Sequence, residues 1–399
     1  NWQVEHLLRR AAFGPDAADV VRFANTPVST VAAYLVDYEQ QPDDVDAKIG
    51  QDAYVGITAR GGQFSPNTRI TDARQRWLFR MVHSPRPLQE KMALFWHNYF
   101  ATGYDKVAGQ IGSNGASRAF GAKPSEEEYG VRGQYELFRE YALGNFRDLL
   151  IEVSRDPAMV AWLDGDTNVR AKPQENYARE LMELFTMGVD FFTESDVYAG
   201  ARVFTGWNLR NFYPNDDDRY STFRFRSSQH DTDSKTFSFS IYPDGGKTIP
   251  ARSAGSGQQD GLDLINAVAA HPETGPCLAR KLYAFFVSEL KTPPESFIQQ
   301  LAGVYYSSGY DMRAVVGSLL RSAEFQDPAN YFARYSWPVE YVTRLIKAVG
   351  WTGFSASNAI TPLANMGQVL FEPPDVSGWR LGTDWFSTGT LLARMNFAA

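Results

Sequence analysis

The sequence predicts a mainly α protein: a single large multi-helix domain with a small β-containing insertion around residues 207–249. Three observations carry this. Apolar residues recur at helical spacing along most of the 399 residues, the period of one buried helix face. Strand-like alternation is confined to residues 222–226 and 236–240, where Phe alternates with polar side chains. No internal repeat, low-complexity tract or obvious linker divides the chain, so a second domain is not required.

In order, residues 4–13 and 16–24 read as two helices separated by Gly14-Pro15, a pair that helices do not continue through. Residues 29–39 form a third, and the polar, Gly-containing stretch 40–68 a long loop. Residues 72–84 and 88–101 form a helix pair split by Pro85-Arg86-Pro87. Further helices are expected at 133–143, 146–154, 175–187, 195–205, 261–270, 276–290, 295–307, 312–322, 338–349 and 358–366. The Gly- and Ser-rich residues 253–257 mark the alternative domain boundary.

Composition narrows the function. Hydrophobic residues make up 44% and charged residues 21%, as in ordinary globular proteins. A net charge of −7 gives no general attraction to nucleic acid or anionic lipid. One cysteine, Cys277, excludes an intrachain disulfide and any multi-cysteine metal site. No apolar run approaches the ~20 residues of a membrane span, and no signal peptide precedes Asn1, although a cleaved one would leave no trace. Nucleophile-elbow, Walker, Rossmann and His-Glu-x-x-His patterns are missing.

Several constellations remain. On an ideal wheel of ~100° per residue, His97 falls about 20° from Glu90 at the edge of a broad apolar arc. His97 is therefore expected to be buried and hydrogen-bonded to a carboxylate or a backbone group, with Glu90 as the local candidate. The helix opening at Glu175 carries Glu175, Asn176, Arg179, Glu180 and Glu183 on one arc. That arc is either a solvated ion-pair ladder or the wall of a cleft, where Arg179 keeps one carboxylate ionised while a more desolvated one retains its proton. Asp164, Asp166, Asn168 and Glu175 stand at positions 1, 3, 5 and 12 of a twelve-residue loop, the ligand positions of a Ca²⁺ loop. Val169 replaces its glycine and Pro173 stiffens its exit, so the alternative is a loop that caps the next helix. His230-Asp231, followed by Asp233 and Lys235, offers acid–base groups, metal ligands or a turn network. Asp375 and Trp379 follow the stiff Pro373-Pro374 turn; the tryptophan is either simply packed or, with Asp375, projects into a groove, where tryptophan suits sugar C–H faces.

These strings resemble a known family. His6-Leu7-Leu8-Arg9-Arg10-Ala11-Ala12-Phe13-Gly14, Phe95-Trp96-His97-Asn98-Tyr99-Phe100-Ala101-Thr102 and the stretch from Glu175-Asn176-Tyr177 to Thr186-Met187-Gly188 are similar to the bacterial domain of unknown function 1800 (DUF1800). So are Ala201-Arg202-Val203-Phe204-Thr205-Gly206-Trp207, His230-Asp231 and Pro373-Pro374-Asp375-Val376-Ser377-Gly378-Trp379. The resemblance runs nearly end to end and implies an exported, periplasmic or secreted protein, with an exported protein as partner. It departs at Tyr99, where a second histidine is common, and at Gln174, where asparagine is common. Both departures weaken a multi-histidine metal site.

Three functions are compatible with these residues. The first is an exported glycan hydrolase using paired carboxylates in a Trp-rimmed helical cleft, with Glu175, Glu180, Glu183 and Asp231 as acid–base candidates supported by His97 and His230. Its substrate contacts would be Asn98, Asn176, Arg179, Trp207, Asp375 and Trp379. The second is a non-catalytic surface or assembly protein that binds a polysaccharide or a partner through the same groove. The third is a metal-dependent enzyme using His97, His230 and the glutamates.

Overall fold

Proline and glycine punctuation sets the first elements of the computed structural model, which describes residues 2–215, 218–350 and 353–399. Helix α1 (Trp2–Ala11) stops where Phe13 and Gly14 take φ of 59° and 94°. Helix α2 (Ala17–Phe23) opens on a capping box between Asp16 and Asp19, which satisfies two of the free N–H groups at a helix start. After α3 (Val28–Val36), the long loop contains only short 3₁₀ turns before α4 (Ile70–His83) and α5 (Pro87–Tyr99).

Helix α5 is the hub. Residues 88–97 and Tyr99 are all buried, whereas its sequence predicts an apolar arc over about half the circumference. The difference lies in its charged residues, which are buried as pairs. Glu90 accepts hydrogen bonds from Arg80 Nε (2.9 Å), Arg139 Nε (3.1 Å) and Tyr135 Oη (2.5 Å). Lys91 pairs with Glu340.

Helices α6 (Tyr104–Ile111) and α7 (Ser113–Gly121) follow, and neither is evident from hydrophobic periodicity. Helix α7 is built from small residues because it packs closely: a Cβ on Gly121 would lie 2.8 Å from Ala73 Cβ. Next come α8 (Gln134–Glu140), α9 (Phe146–Arg155), α10 (Pro157–Trp162), α11 (Asn176–Glu183) and α12 (Glu194–Val203).

The insertion holds two antiparallel pairs, β1 (Trp207–Phe212) with β2 (Tyr220–Phe225), and β3 (Lys235–Thr236) with β4 (Thr248–Ile249). Asp216 and Asp217, between β1 and β2, lie outside the described residues. The strand expected at 236–240 is cut short after Thr236. The Ser238 N–H and hydroxyl both go to the Asp196 carboxylate on α12, so the ladder is replaced by a side-chain anchor.

The remaining helices are α13 (Gln258–Ala270), α14 (Thr274–Phe286), α15 (Glu295–Ser307), α16 (Met312–Arg321), α17 (Ala323–Gln326), α18 (Pro338–Val349), α19 (Ser357–Asn365) and α20 (Thr388–Ala398). Buried apolar side chains form one cluster reaching from Val4 to Trp385. No helix among the described residues is long and apolar enough to cross a membrane. The chain is therefore mainly α, as its periodicity predicts.

Candidate ligand pocket

The last turn of α5 is used to hold the C-terminal loop. Phe371 adopts φ 65°, an uncommon conformation for a bulky residue. Its N–H donates to His97 Nε2 (3.1 Å), and its ring packs on Trp77 and His97. Asn98 Oδ1 accepts the Trp379 N–H at 2.7 Å. Gly378 has φ 85°, and a Cβ there would stand 2.4 Å from Asn98 Oδ1, so only glycine allows this approach. His97 is buried and, of the two partners expected, it bonds a backbone group. Glu90 is already occupied by Arg80, Arg139 and Tyr135. Burial lowers the His97 pKa to about 3, with Arg74 adding to the effect. A neutral ring accepting at Nε2 follows, which makes His97 a positioning residue for this loop.

Between α5, α14 and that loop lies a cavity of about 290 Å³, the lower end of the range for small-ligand sites. Phe95, Tyr99, Phe285, Trp337 and Trp379 give it an aromatic floor. Its polar groups are Asn98, Ser377, Arg280 and Lys281. The Lys281 ammonium donates to the Leu184 carbonyl (2.6 Å) and sits 4.3 Å from the Tyr99 ring centroid. Burial lowers its pKa. Arg280 pairs with Glu295 on α15. Neither Asn98 Nδ2 nor Ser377 Oγ has a partner among the described residues. No carboxylate or imidazole among the described residues lines the pocket. It therefore presents hydrogen-bond donors above aromatic edges.

The other candidates are placed elsewhere. Asn176 on α11 is exposed, and Glu175, Arg179, Glu180 and Glu183 are half-buried. Arg179 bridges Glu175 and Glu194. Burial and the neighbouring Glu183 push Glu180 up to about 6, but none of these side chains lines the pocket. In the loop before α11, Asp164 accepts from Lys106, Gln110 and Asn176. Asn168 donates to the Ala201 carbonyl and accepts the Gln174 N–H. No group of three or more His, Cys, Asp or Glu side chains among the described residues is arranged to hold a metal ion.

His230 is buried with Nδ1 at 2.8 Å from the Thr205 carbonyl and Nε2 at 3.2 Å from Asp260. Asp231 forms a forked pair with Arg202. Lys235 and Arg252 complete the cluster around Asp260. This network fastens the insertion to α12 and α13. Trp207 is buried over Gly261, whose Cβ would fall 2.3 Å from its ring. Asp375 is exposed and accepts the Ser377 N–H, closing its own turn. Of the sequence candidates, then, Asn98 and Trp379 meet in the pocket, with His97 behind them. The glutamates, His230-Asp231, Asn176, Arg179, Trp207 and Asp375 do not join them.

Arg280, Lys281 and Trp337 were not singled out by sequence reasoning. The available signal was a basic pair inside the apolar run from Leu278 to Phe286, where a charge needs a reason to be present. No curated protein and no solved structure matches the chain. A family model described as protein of unknown function (DUF1800) matches residues 6–399, and the chain belongs to that family.

Proposed function

We propose that this protein binds, without cleaving, an acidic glycan, and that the pocket between α5, α14 and the C-terminal loop receives one acidic sugar unit. The observation that carries this reading is the composition of the pocket: aromatic side chains, hydrogen-bond donors, and no carboxylate among the described residues. Sugar C–H faces pack on aromatic rings while acceptor-rich hydroxyl and carboxylate groups take hydrogen bonds. Lys281 and Arg280 supply the charge for the carboxylate. Hydrolysis by paired carboxylates needs two such groups flanking the bond, and this cavity offers none. Glu180 and Glu183 on α11 keep the hydrolase reading as the second one, because Glu180 retains a proton to about pH 6. Acidic polysaccharides outside the cytoplasm are the class of partner this implies for an exported protein.

The test is calorimetric titration of oligouronates and of neutral oligosaccharides of equal length, with product analysis after incubation. The reading expects binding of the acidic series, no products, and affinity reduced by about tenfold or more in Lys281→Met, the loss of one charge-assisted hydrogen bond. Ser377→Ala, which breaks no side-chain bond within the described residues, should weaken binding less. Shortened products would favour the hydrolase. Absence of binding would remove the glycan reading.

A further inference from the structure

A second cavity, of about 310 Å³, opens between α1, the segment before α18, and α18 itself. Four arginines line it: Arg9, Arg10, Arg334 and Arg344. Arg10 is buried, and among the described residues its guanidinium donates only to the carbonyls of Arg334 (3.5 Å) and Asn330 (3.2 Å). Arg334, also buried, donates Nη1 to Glu340 at 2.6 Å, and its Nε stands 3.3 Å from Glu289 as an ion pair outside hydrogen-bond geometry. Its Nε and Nη2 are both buried without a hydrogen-bond partner among the described residues. Arg344 lies half-buried with its stem against Gly14, and its guanidinium makes no hydrogen bond or ion pair with any described residue.

The charges do not balance. Lys91 stands behind the cavity on Glu340, so among the described residues five cations face three carboxylates, Glu5, Glu289 and Glu340. An excess of two positive charges in a partly desolvated space is costly unless an anion enters. Burial and the charge of Arg334 pull Arg10 down to about 9, in the direction that mutual repulsion requires. Guanidinium groups present paired N–H donors that match tetrahedral oxyanions. The cavity exceeds the ~30 Å³ share of a water molecule about tenfold, leaving room beyond the anion itself. Phe332, 73% exposed, and Tyr331 flank the opening, offering apolar surface to an attached organic group.

We infer that this cavity is a binding site for a tetrahedral oxyanion, a phosphate or sulfate group carried on a small organic body. It is separate from the glycan pocket, although Phe285 and Trp337 of that pocket also carry the Arg334 guanidinium at 5.0 and 5.3 Å. The Arg344 head group has no internal bond to lose, so Arg344→Gln removes a ligand donor while leaving the internal ion pairs intact. Arg344→Lys retains a charge without the fork.

The experiment measures melting temperature and calorimetric binding with inorganic phosphate, inorganic sulfate, a hexose phosphate and a hexose sulfate, against chloride at matched ionic strength. A saturable rise in melting temperature is expected with the oxyanions, strongest for a hexose ester, and at least a tenfold loss of affinity in Arg344→Gln with partial recovery in Arg344→Lys. Inorganic ions binding as well as the esters would overturn the organic body. An equal response to chloride, or an undiminished response in folded Arg344→Gln, would overturn the site. Lys281→Met should leave this response unchanged, which keeps the two pockets distinguishable.

Discussion

Glu340 is the residue whose loss should cost most for the smallest change of shape. Its carboxylate accepts from Lys91, from Arg334 Nη1 (2.6 Å) and from the Trp337 N–H (2.8 Å). Arg334 and Lys91 outweigh burial and hold its pKa at about 2, against 4.5 for a free side chain. At 1.36 kcal/mol per unit this is worth about 3 kcal/mol. A depressed carboxylate contributes fully above pH 4.5, and the contribution disappears as pH falls toward 2. Glu340→Gln leaves the buried Lys91 without a counter-charge, for which about 3–5 kcal/mol is typical. Lys91→Met should cost less, about 1 kcal/mol or under. Glu340 keeps its other two donors, and burial already lowers the Lys91 pKa to about 8. With an unfolding entropy of about 2.1 cal/mol/K per residue, 3 kcal/mol corresponds to about 4 °C in this chain. Thermal and chemical denaturation at pH 7 measure both variants. A Glu340→Gln protein as stable as wild type, or a Lys91→Met protein destabilised equally, would refute the reasoning.

Two further predictions concern titration and metal. Burial holds His97 neutral to about pH 3, and His6 and His83 to about pH 4. The unfolded chain therefore binds more protons below pH 6.5. Stability should fall as pH drops from 6.5 toward 4, by up to about 1.4 kcal/mol per pH unit for each histidine; imidazole NMR titration and pH-dependent melts check this. Calcium should not shift the melting temperature relative to chelator, because Asp164 and Asn168 are engaged with separate protein partners. A saturable rise would restore the Ca²⁺ loop.

The helices were readable where apolar periodicity was strong, as in α9, α15 and α16, since burial of one face is what those sequences encode. Helices α6 and α7 were not. Their glycines lower propensity, and Gly115 and Gly121 lie against Arg219 and Ala73, contacts between remote segments that no local window reveals. The wheel placed Glu90 and His97 together. Tertiary partners separated them: three donors from α4 and α8 occupy Glu90, while a backbone N–H 274 residues away occupies His97. Asn98 and Trp379 were identified singly from their motifs. Their meeting, and the basic pair on α14 beside them, depends on the path of the C-terminal loop, which local pattern does not encode.

The most direct measurement of the central claim is a crystal structure of the protein soaked with an oligouronate. One sugar ring should lie against Trp379 and Tyr99, with its carboxylate within hydrogen-bond reach of Lys281 Nζ and the glycosidic bond intact. An empty pocket with the sugar bound on α11 beside Glu180 and Glu183, or a cleaved chain, would contradict the claim.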